Sequence, residues 1–213
     1  MQYERKYAWS VLLRLYHWAF ALSITVLVVT GFYIHFPWTN TWLENTGEFP
    51  VAMMRYLHFI AGFVFLAALL ARLYLLIFGN SQERISDFAP VTPRNLKSLA
   101  GTIKDYLYVS KSHQERLGHN VLAGTAYIIT FIAAALQIIS GFYMLYPENI
   151  LIQSIGLSVT GPQQHARFIH YLLMWYFMLF ALVHVYMAVW NDIVTGEGII
   201  SSIFNGHKFM RSR

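Results

Sequence analysis

Four histidines lie inside apolar stretches long enough to cross a lipid bilayer. These are the residues of the sequence best suited to metal binding or proton transfer. Two of them, His170 and His184, share one stretch and lie fourteen positions apart. Four turns of an α-helix take about 14.4 residues, so both imidazoles leave the same helix face. At about 1.5 Å per residue they are separated by roughly 21 Å, most of a hydrocarbon core of about 30 Å. The spacing predicts two metal centres at two depths of a membrane.

The composition is that of an integral membrane protein. The chain has 213 residues, of which 57% are hydrophobic and only 12% are charged, about half the charge of an average soluble domain. It has no cysteine, which excludes disulfides, iron–sulfur clusters and covalently attached c-type haem on this chain. The basic residues form no continuous patch, so the net charge of +5 does not indicate nucleic-acid binding.

Apolar segments of membrane-spanning length occur four times, which predicts an all-α fold in a single membrane domain of residues 1–213. We expect a polar lead over 1–10, a short loop with Gly156, Gly161 and Pro162 before the fourth span, and a basic tail. Thr92-Pro93 resembles a helix start, and leucines follow at helical spacing, which predicts an amphipathic surface helix over 93–108. The predicted membrane helices cover about 11–36, 52–78, 118–146 and 164–192.

Lysine and arginine lie at alternate ends of the predicted spans. None occurs between Pro37 and Met54 or between Tyr146 and Arg167, whereas the N-terminal flank, the long second connection and the tail are basic. The positive-inside rule therefore predicts that both termini and the second connection are cytoplasmic.

This orientation sorts the four histidines by depth into two level pairs. His17 pairs with His184 near the cytoplasmic side, and His58 pairs with His170 near the outer side. A six-coordinate haem iron takes two axial ligands from facing helices of a bundle, so the pairs predict two haems. The alternative for any one histidine is a hydrogen bond inside the bundle, but four at matched depths argue against it for the set.

Three arginines each precede one of these histidines by three residues, which places the guanidinium on the ligand's face but one turn nearer the membrane surface. We expect them to pair with haem propionates, because arginine pairs well with carboxylates. The alternative is that they extend outward to water at the ends of the spans. They are Arg14 before His17, Arg55 before His58 and Arg167 before His170.

Other polar and small residues leave two explanations open. His119 and Asn120, at the start of the third span, are candidates for binding a quinone and relaying protons, or form a polar helix cap. Gly31, Gly62 and Gly141 either admit a flat macrocycle or permit close helix packing. Arg72 is a candidate partner of a propionate or of Asp192, or extends toward the surface.

The segments around these histidines resemble the membrane cytochrome b subunit of respiratory nickel–iron hydrogenases. The resemblance is carried in order by RLYHW, MRYLHF, RLGHN and HARFIHYLLMW…LVHVYM, with RLYLLIFGN and NDIV…NGHKF in addition. It covers nearly the whole chain. The cytochrome b subunit of formate dehydrogenase has a similar fourth helix, so the fourteen-residue pair alone is less specific.

The resemblance implies a four-helix bundle in the bacterial inner membrane that binds two b-type haems. It also implies hydrogenase small and large subunits as partners in an oligomeric complex, with the hydrogen-splitting site not on this chain. Electrons from the small subunit's iron–sulfur chain would cross the membrane to a quinone near the inner haem. The family has a histidine two positions before the His170 position, whereas here the extra one is His165, so no role for His165 follows. The implied iron ligands are His17, His58, His170 and His184.

Two rival functions remain open from the sequence. The same scaffold serves other respiratory complexes, such as formate dehydrogenase or thiosulfate reductase, and co-purified partner subunits would distinguish them. From another class, intramembrane histidines also occur in haem-free proton or metal-ion transporters. A transporter would lack the split visible bands of a reduced b-type cytochrome.

Overall fold

A computed structural model describes residues 3–38, 49–90, 93–106, 117–118 and 121–211, most of them helical. Four helices are long and apolar enough to cross a membrane, which confirms the four predicted spans. These four are α1, α2, α5 and α7. The elements in chain order are β1 (Tyr3–Tyr7), α1 (Val11–His35), α2 (Pro50–Phe78), α3 (Ile85–Phe88), α4 (Pro93–Tyr106), α5 (Val121–Leu145), α6 (Ile150–Thr160), α7 (Gln163–Thr195), α8 (Ile199–Asn205) and β2 (His207–Arg211).

Side chains on α1 show how a span divides its surface. Leu15, Leu22 and Val29, each seven residues apart, are 52–63% exposed, whereas Leu13 and Phe20 are buried. Positions seven apart share one helix face. A contiguous exposed apolar face on a helix of this length is what lipid covers in a membrane protein.

The chain forms two compact units, each containing part of every spanning helix. The His58 unit comprises His17–Leu70 and Ala135–Leu179, and the His184 unit comprises Met1–Tyr16, Ala71–Ala134 and Phe180–Arg213. Within the His58 unit, aromatic rings join the helices in a chain of edge and stacked contacts, which are favourable beyond the area that they bury. The contacts, between ring centroids, are Phe20–Phe65 at 4.5 Å, Phe65–Phe177 at 5.8 Å and Phe63–Phe142 at 5.3 Å.

The His184 unit contains a buried cation, Arg72. Arg72 is 2% exposed and donates a hydrogen bond of 2.9 Å to the carbonyl of Glu83. Its guanidinium carbon also lies 5.9 Å from the ring centre of Tyr16 and 5.5 Å from that of Phe131. Arg72 is therefore held inside the protein and does not extend to the surface. Asp192, its other candidate partner, accepts a hydrogen bond from the backbone amide of Ile199.

The ends of the described chain form a two-stranded antiparallel ribbon, which corrects the all-α prediction to a mostly helical fold. In its register Tyr3 is opposite Arg211 and Tyr7 is opposite His207. Both strands, YERKY and HKFMR, are rich in charge and short. The expectation of an irregular lead and tail was wrong because these strands lack the alternating apolar pattern by which a half-buried strand is recognised.

The segment expected to be a loop before the fourth span contains helix α6. Asn149 caps its start by accepting a hydrogen bond of 3.0 Å from the amide of Ile152. Gly156, which was expected in the loop, lies inside this helix. A Cβ there would lie 2.2 Å from Cγ of Tyr143, so the glycine permits close packing. Gly161, with φ 74°, ends the helix in the left-handed conformation that glycine favours.

Helix α4 corresponds to the predicted surface helix, whose last two predicted residues, 107 and 108, lie outside the described residues. Among the side chains of α4 that the structure describes, two polar ones are buried: Asn95, which donates a hydrogen bond of 2.8 Å to the carbonyl of Ala89, and Ser98. Leu96 is 52% exposed. This part of the helix therefore buries polar groups.

A fully buried carboxylate, Glu83, joins the N-terminal segment to the turn after α2. One oxygen accepts a hydrogen bond of 2.7 Å from the amide of Ser10, and the other accepts one of 3.1 Å from the amide of Asn80. Next to it, Trp9 donates to the hydroxyl of Ser202 at 3.0 Å. The bond to Glu83 gives the Ser10 amide, directly before α1, an acceptor, and the bond from Trp9 satisfies a buried indole donor.

We expect the substitution Glu83→Ala to lower the free energy of unfolding by about 2 kcal/mol, because it leaves two buried amides without acceptors. Denaturant unfolding in detergent micelles, followed by circular dichroism, measures the change. Glu148→Ala, at an exposed glutamate, is the control and should be neutral. Equal effects at the two positions would contradict this role of Glu83.

Lys208 of the ribbon is 6% exposed, donates a hydrogen bond of 3.3 Å to the carbonyl of Gly118 and lies 5.5 Å from the ring centre of Trp9. Burial lowers the pKa of Lys208 from its ordinary 10.5, and the nearby Glu197 and Asp87 only partly oppose this. The charged ammonium is therefore held in the fold at a net cost.

Stability should consequently rise with pH in the range just below 10.5, because there the unfolded chain binds a proton that the folded chain has released. Substitution Lys208→Met should remove this slope while retaining the stem's packing against Trp9. Denaturant midpoints measured at several pH values for both proteins test the prediction. If the dependence of stability on pH persists in the Lys208→Met variant, another titratable group is responsible for it.

Candidate functional site

Two of the predicted ligands meet within the His58 unit. The ring centroids of His58, on α2, and His170, on α7, are 6.4 Å apart, and their planes are inclined at 54°. Imidazoles on opposite sides of one metal ion, each with a metal–nitrogen bond of about 2 Å, have centroids on the order of 6 Å apart. The separation therefore suits two axial ligands of one iron.

A hydroxyl on α1 determines which nitrogen of His58 is available. Thr30 Oγ1 lies 2.8 Å from Nδ1 of His58 and donates to the carbonyl of Val26 at 2.7 Å. A hydroxyl has one proton, so while it donates to the carbonyl it accepts the hydrogen bond from the imidazole. Nδ1 then holds the proton of the neutral ring, and Nε2 has the free lone pair that a metal requires.

Helix α5 provides His170 with the same arrangement. Ser140 Oγ lies 2.9 Å from Nδ1 of His170 and donates to the carbonyl of Gln137 at 3.0 Å. Ser140 is fully buried. While Ser140 donates its one proton to the carbonyl, it accepts the hydrogen bond from Nδ1–H of His170, and Nε2 is the nitrogen with an available lone pair.

A glycine follows each of these hydroxyl residues and lies directly against the imidazole. A Cβ at Gly31 would lie 3.5 Å from Cε1 of His58, and one at Gly141 would lie 3.2 Å from Cε1 of His170. Gly62 instead faces open space: among the described residues, no atom beyond the neighbouring backbone of its own helix lies within 4 Å of a Cβ placed there. Gly31 and Gly141 therefore give the rings room.

The members of the second predicted pair, His17 and His184, belong to different units. His184 stacks on Phe180 with ring centroids 5.6 Å apart and planes 8° from parallel, and its Nδ1 lies 3.5 Å from the hydroxyl of Tyr127. His17 has the edge of Trp18 at 5.3 Å. Pairing of His17 with His184 stays a prediction.

The three arginines have different surroundings. Arg14 is hydrogen-bonded to the carbonyl of Phe204 at the end of α8. Arg55 is exposed, with its guanidinium carbon 5.9 Å from the ring centre of Phe59, and Arg167 is exposed near the start of α7. Exposed guanidinium groups one turn from His58 and His170 are free to reach a carboxylate, whereas Arg14 already bonds a helix end.

The structure describes His35 and His207 but not the two quinone candidates. His119 and Asn120 lie outside the described residues. His35 packs on Tyr171 at 5.0 Å, and His207 belongs to the ribbon, where its Nδ1 is 3.2 Å from Arg5.

Sequence reasoning missed Thr30 and Ser140. The available signal was a hydroxyl residue directly before a glycine inside two different spans.

Comparison with known proteins identifies the family. The family model described as prokaryotic cytochrome b561 matches residues 8–206. The chain belongs to the prokaryotic cytochrome b561 family. Membership confirms the family that the histidine segments resemble, and it makes this chain a multi-pass b-type cytochrome with haem b as its implied cofactor.

Relatives in this family are similar over nearly their full length. A protein of Azotobacter vinelandii named "Probable Ni/Fe-hydrogenase B-type cytochrome subunit" is 32% identical and aligns with 96% of this chain and 89% of its own length. One of the same name from Cupriavidus necator is 31% identical over 95% of this chain and 86% of its own. The "Probable Ni/Fe-hydrogenase 1 B-type cytochrome subunit" of Escherichia coli K12 is 31% identical over 95% and 92%.

The residues of the His58 unit fit the implied haem. Two neutral imidazoles with their Nδ1 nitrogens occupied offer two Nε2 ligands, and a porphyrin supplies the four other nitrogens that six-coordinate iron needs. The glycines beside both rings keep the volume around them free of side-chain carbon. His58 and His170 would hold the group, supported by Thr30 and Ser140.

We expect Gly141→Ala to reduce haem content more than Gly31→Ala does. The 3.2 Å contact with His170 is tighter than ordinary van der Waals contact, so the ring must shift, whereas the 3.5 Å contact with His58 is ordinary. Pyridine haemochrome assays of the purified proteins give haem per chain. Gly31→Ala is the matched variant, and a larger loss there would contradict the geometry.

Proposed function

We propose that the chain is the di-haem b subunit of a nickel–iron hydrogenase and transfers electrons from the hydrogenase iron–sulfur chain across the membrane to a quinone. Family membership and the names of three relatives support the hydrogenase assignment. The chain has no cysteine for iron–sulfur ligation. The hydrogen-splitting site therefore belongs to the partner large subunit, and electrons come through the small subunit.

One observation carries the proposal: His58 and His170 face each other at 6.4 Å with both Nδ1 nitrogens occupied. These two histidines hold the outer haem, and His17 with His184 hold the inner one. When bound, haem b supplies one-electron redox chemistry. The chain's own residues fix the ligand nitrogens, keep water away and set the distance between the two centres along α7.

The distribution of basic residues gives the proposed orientation. Both termini and the connection between α2 and α5 lie in the cytoplasm, and the protein lies in the bacterial inner membrane. His58 and His170 are then on the outer side, where the small subunit delivers electrons. A quinone binds near the inner haem, where His119 and Asn120 donate hydrogen bonds to its carbonyls and relay protons from the cytoplasm.

Arginines assist by neutralising the propionates. Arg55 and Arg167 are exposed and one turn from His58 and His170, so their guanidinium groups can form charge-assisted pairs with carboxylates there. Arg14 serves the inner haem in the same way if it exchanges its bond to the Phe204 carbonyl for a propionate.

We expect His58→Ala and His170→Ala each to remove one of two haem equivalents, and the double variant to remove no more, because both ligands serve the same iron. His17→Ala and His184→Ala should remove the other equivalent. Haem per chain and a redox titration of the reduced visible bands measure which centre is lost.

His35→Ala is the matched control, since His35 lies in the same unit and packs on Tyr171. It should retain both haems. Loss of both haems from each single ligand variant would contradict the pairing. A colourless protein after haem-replete expression would instead favour a haem-free transporter.

A further inference from the structure

The two imidazoles of the His58–His170 site are held by the same device, built on two different helices. Thr30 precedes Gly31 on α1, and Ser140 precedes Gly141 on α5. In each case the hydroxyl lies within 2.9 Å of Nδ1, and the next residue is a glycine that lies beside the ring. Because the same pair of a hydroxyl residue and a glycine occurs beside both imidazoles, we relate it to the function of the two histidines.

Each hydroxyl connects an imidazole to a backbone carbonyl. Thr30 donates to Val26 and Ser140 donates to Gln137, so each oxygen presents a lone pair to the ring. While its proton is directed to the backbone carbonyl, each hydroxyl accepts the hydrogen bond from Nδ1–H of the histidine. A hydrogen bond from Nδ1–H also makes the ring a more electron-donating metal ligand.

We propose that Thr30 and Ser140 are positioning residues that set the redox potential of the haem bound by His58 and His170. This inference rests on the proposed function, since it requires that these histidines bind iron. By accepting a hydrogen bond from each Nδ1–H, the two hydroxyls increase the basicity of both ligands. A more basic ligand stabilises the oxidised iron relative to the reduced iron, which lowers the potential.

Other hydroxyl residues of α1 separate this role from ordinary helix packing. Ser23 is buried and donates to the carbonyl of Phe20 at 2.9 Å, and Thr25 donates to the carbonyl of Ala21 at 3.0 Å. Among the described residues, neither hydroxyl is hydrogen-bonded to a histidine. They share the intrahelical bond of Thr30 and Ser140 without the contact to a ligand.

The test is a redox titration of the haem-loaded full-length chain in membranes, followed by optical and electron paramagnetic resonance spectra. Thr30→Val and Ser140→Ala should each increase the reduced-to-oxidised ratio of one haem at fixed potential by on the order of three- to tenfold, where tenfold is about 59 mV for one electron. The double variant should raise the redox potential of the same haem further, and the potential of the other haem should be unchanged.

Conservative and control variants make the test specific. Thr30→Ser retains the acceptor and should keep the parent potential. Ser23→Ala and Thr25→Val remove hydroxyls of the same kind and should also leave it unchanged. If Thr30→Val loses haem, Thr30→Cys offers a weak acceptor of similar size, and its potential should fall between those of the parent and the Ser140→Ala protein.

Three results would overturn the inference: no shift in Thr30→Val and Ser140→Ala, equal shifts of both haems, or a shift in the Ser23→Ala control. Failure of the proposed function is separately visible. If His58→Ala keeps both haems, the ligand assignment is wrong. If it loses one haem while Thr30→Val and Ser140→Ala leave the potential unchanged, only the role of the hydroxyls is wrong.

Discussion

The hydrogen bond from an imidazole to a hydroxyl of a neighbouring helix is the interaction on which the His58–His170 site depends. An ionisable ring inside an apolar span is costly unless its polar atoms have partners. Thr30 and Ser140 satisfy one nitrogen of each ring. The second nitrogen remains available to bind a metal. The same hydrogen bond therefore offsets the cost of burying the imidazole and leaves Nε2 as the metal-binding nitrogen.

Packing around the site follows from this constraint. The rings must approach α1 and α5 closely enough to bond a hydroxyl, and Gly31 and Gly141 allow the approach because they have no Cβ. Large side chains then fill the space between helices elsewhere in the same unit, as Phe65 does against Phe20 and Phe177. In this unit, glycines lie beside the two histidines, and phenylalanines form the contacts between helices elsewhere.

The sequence predicted those features that depend on long repeated patterns. Four spans and the four candidate histidines follow from hydropathy and helical spacing, because each pattern extends over many residues, and the family follows from the resemblance of the segments around the histidines. It did not predict the ribbon, whose strands are five residues each, or α6, whose Gly156 resembles a breaker. Thr30 and Ser140 were missed because a hydroxyl in a span normally bonds its own helix, and only tertiary structure shows the histidine beside it.

The ribbon has a consequence for the order in which this protein can be completed during synthesis. Trp9 bonds Ser202, 193 positions later, and β1 pairs with a strand beyond it. The ribosome therefore delivers α1 to the membrane long before the partners of its N-terminal flank exist. Pairing of β1 therefore waits for the C-terminal strand, whereas the bond from the Ser10 amide to Glu83 can form as soon as the turn after α2 has been made.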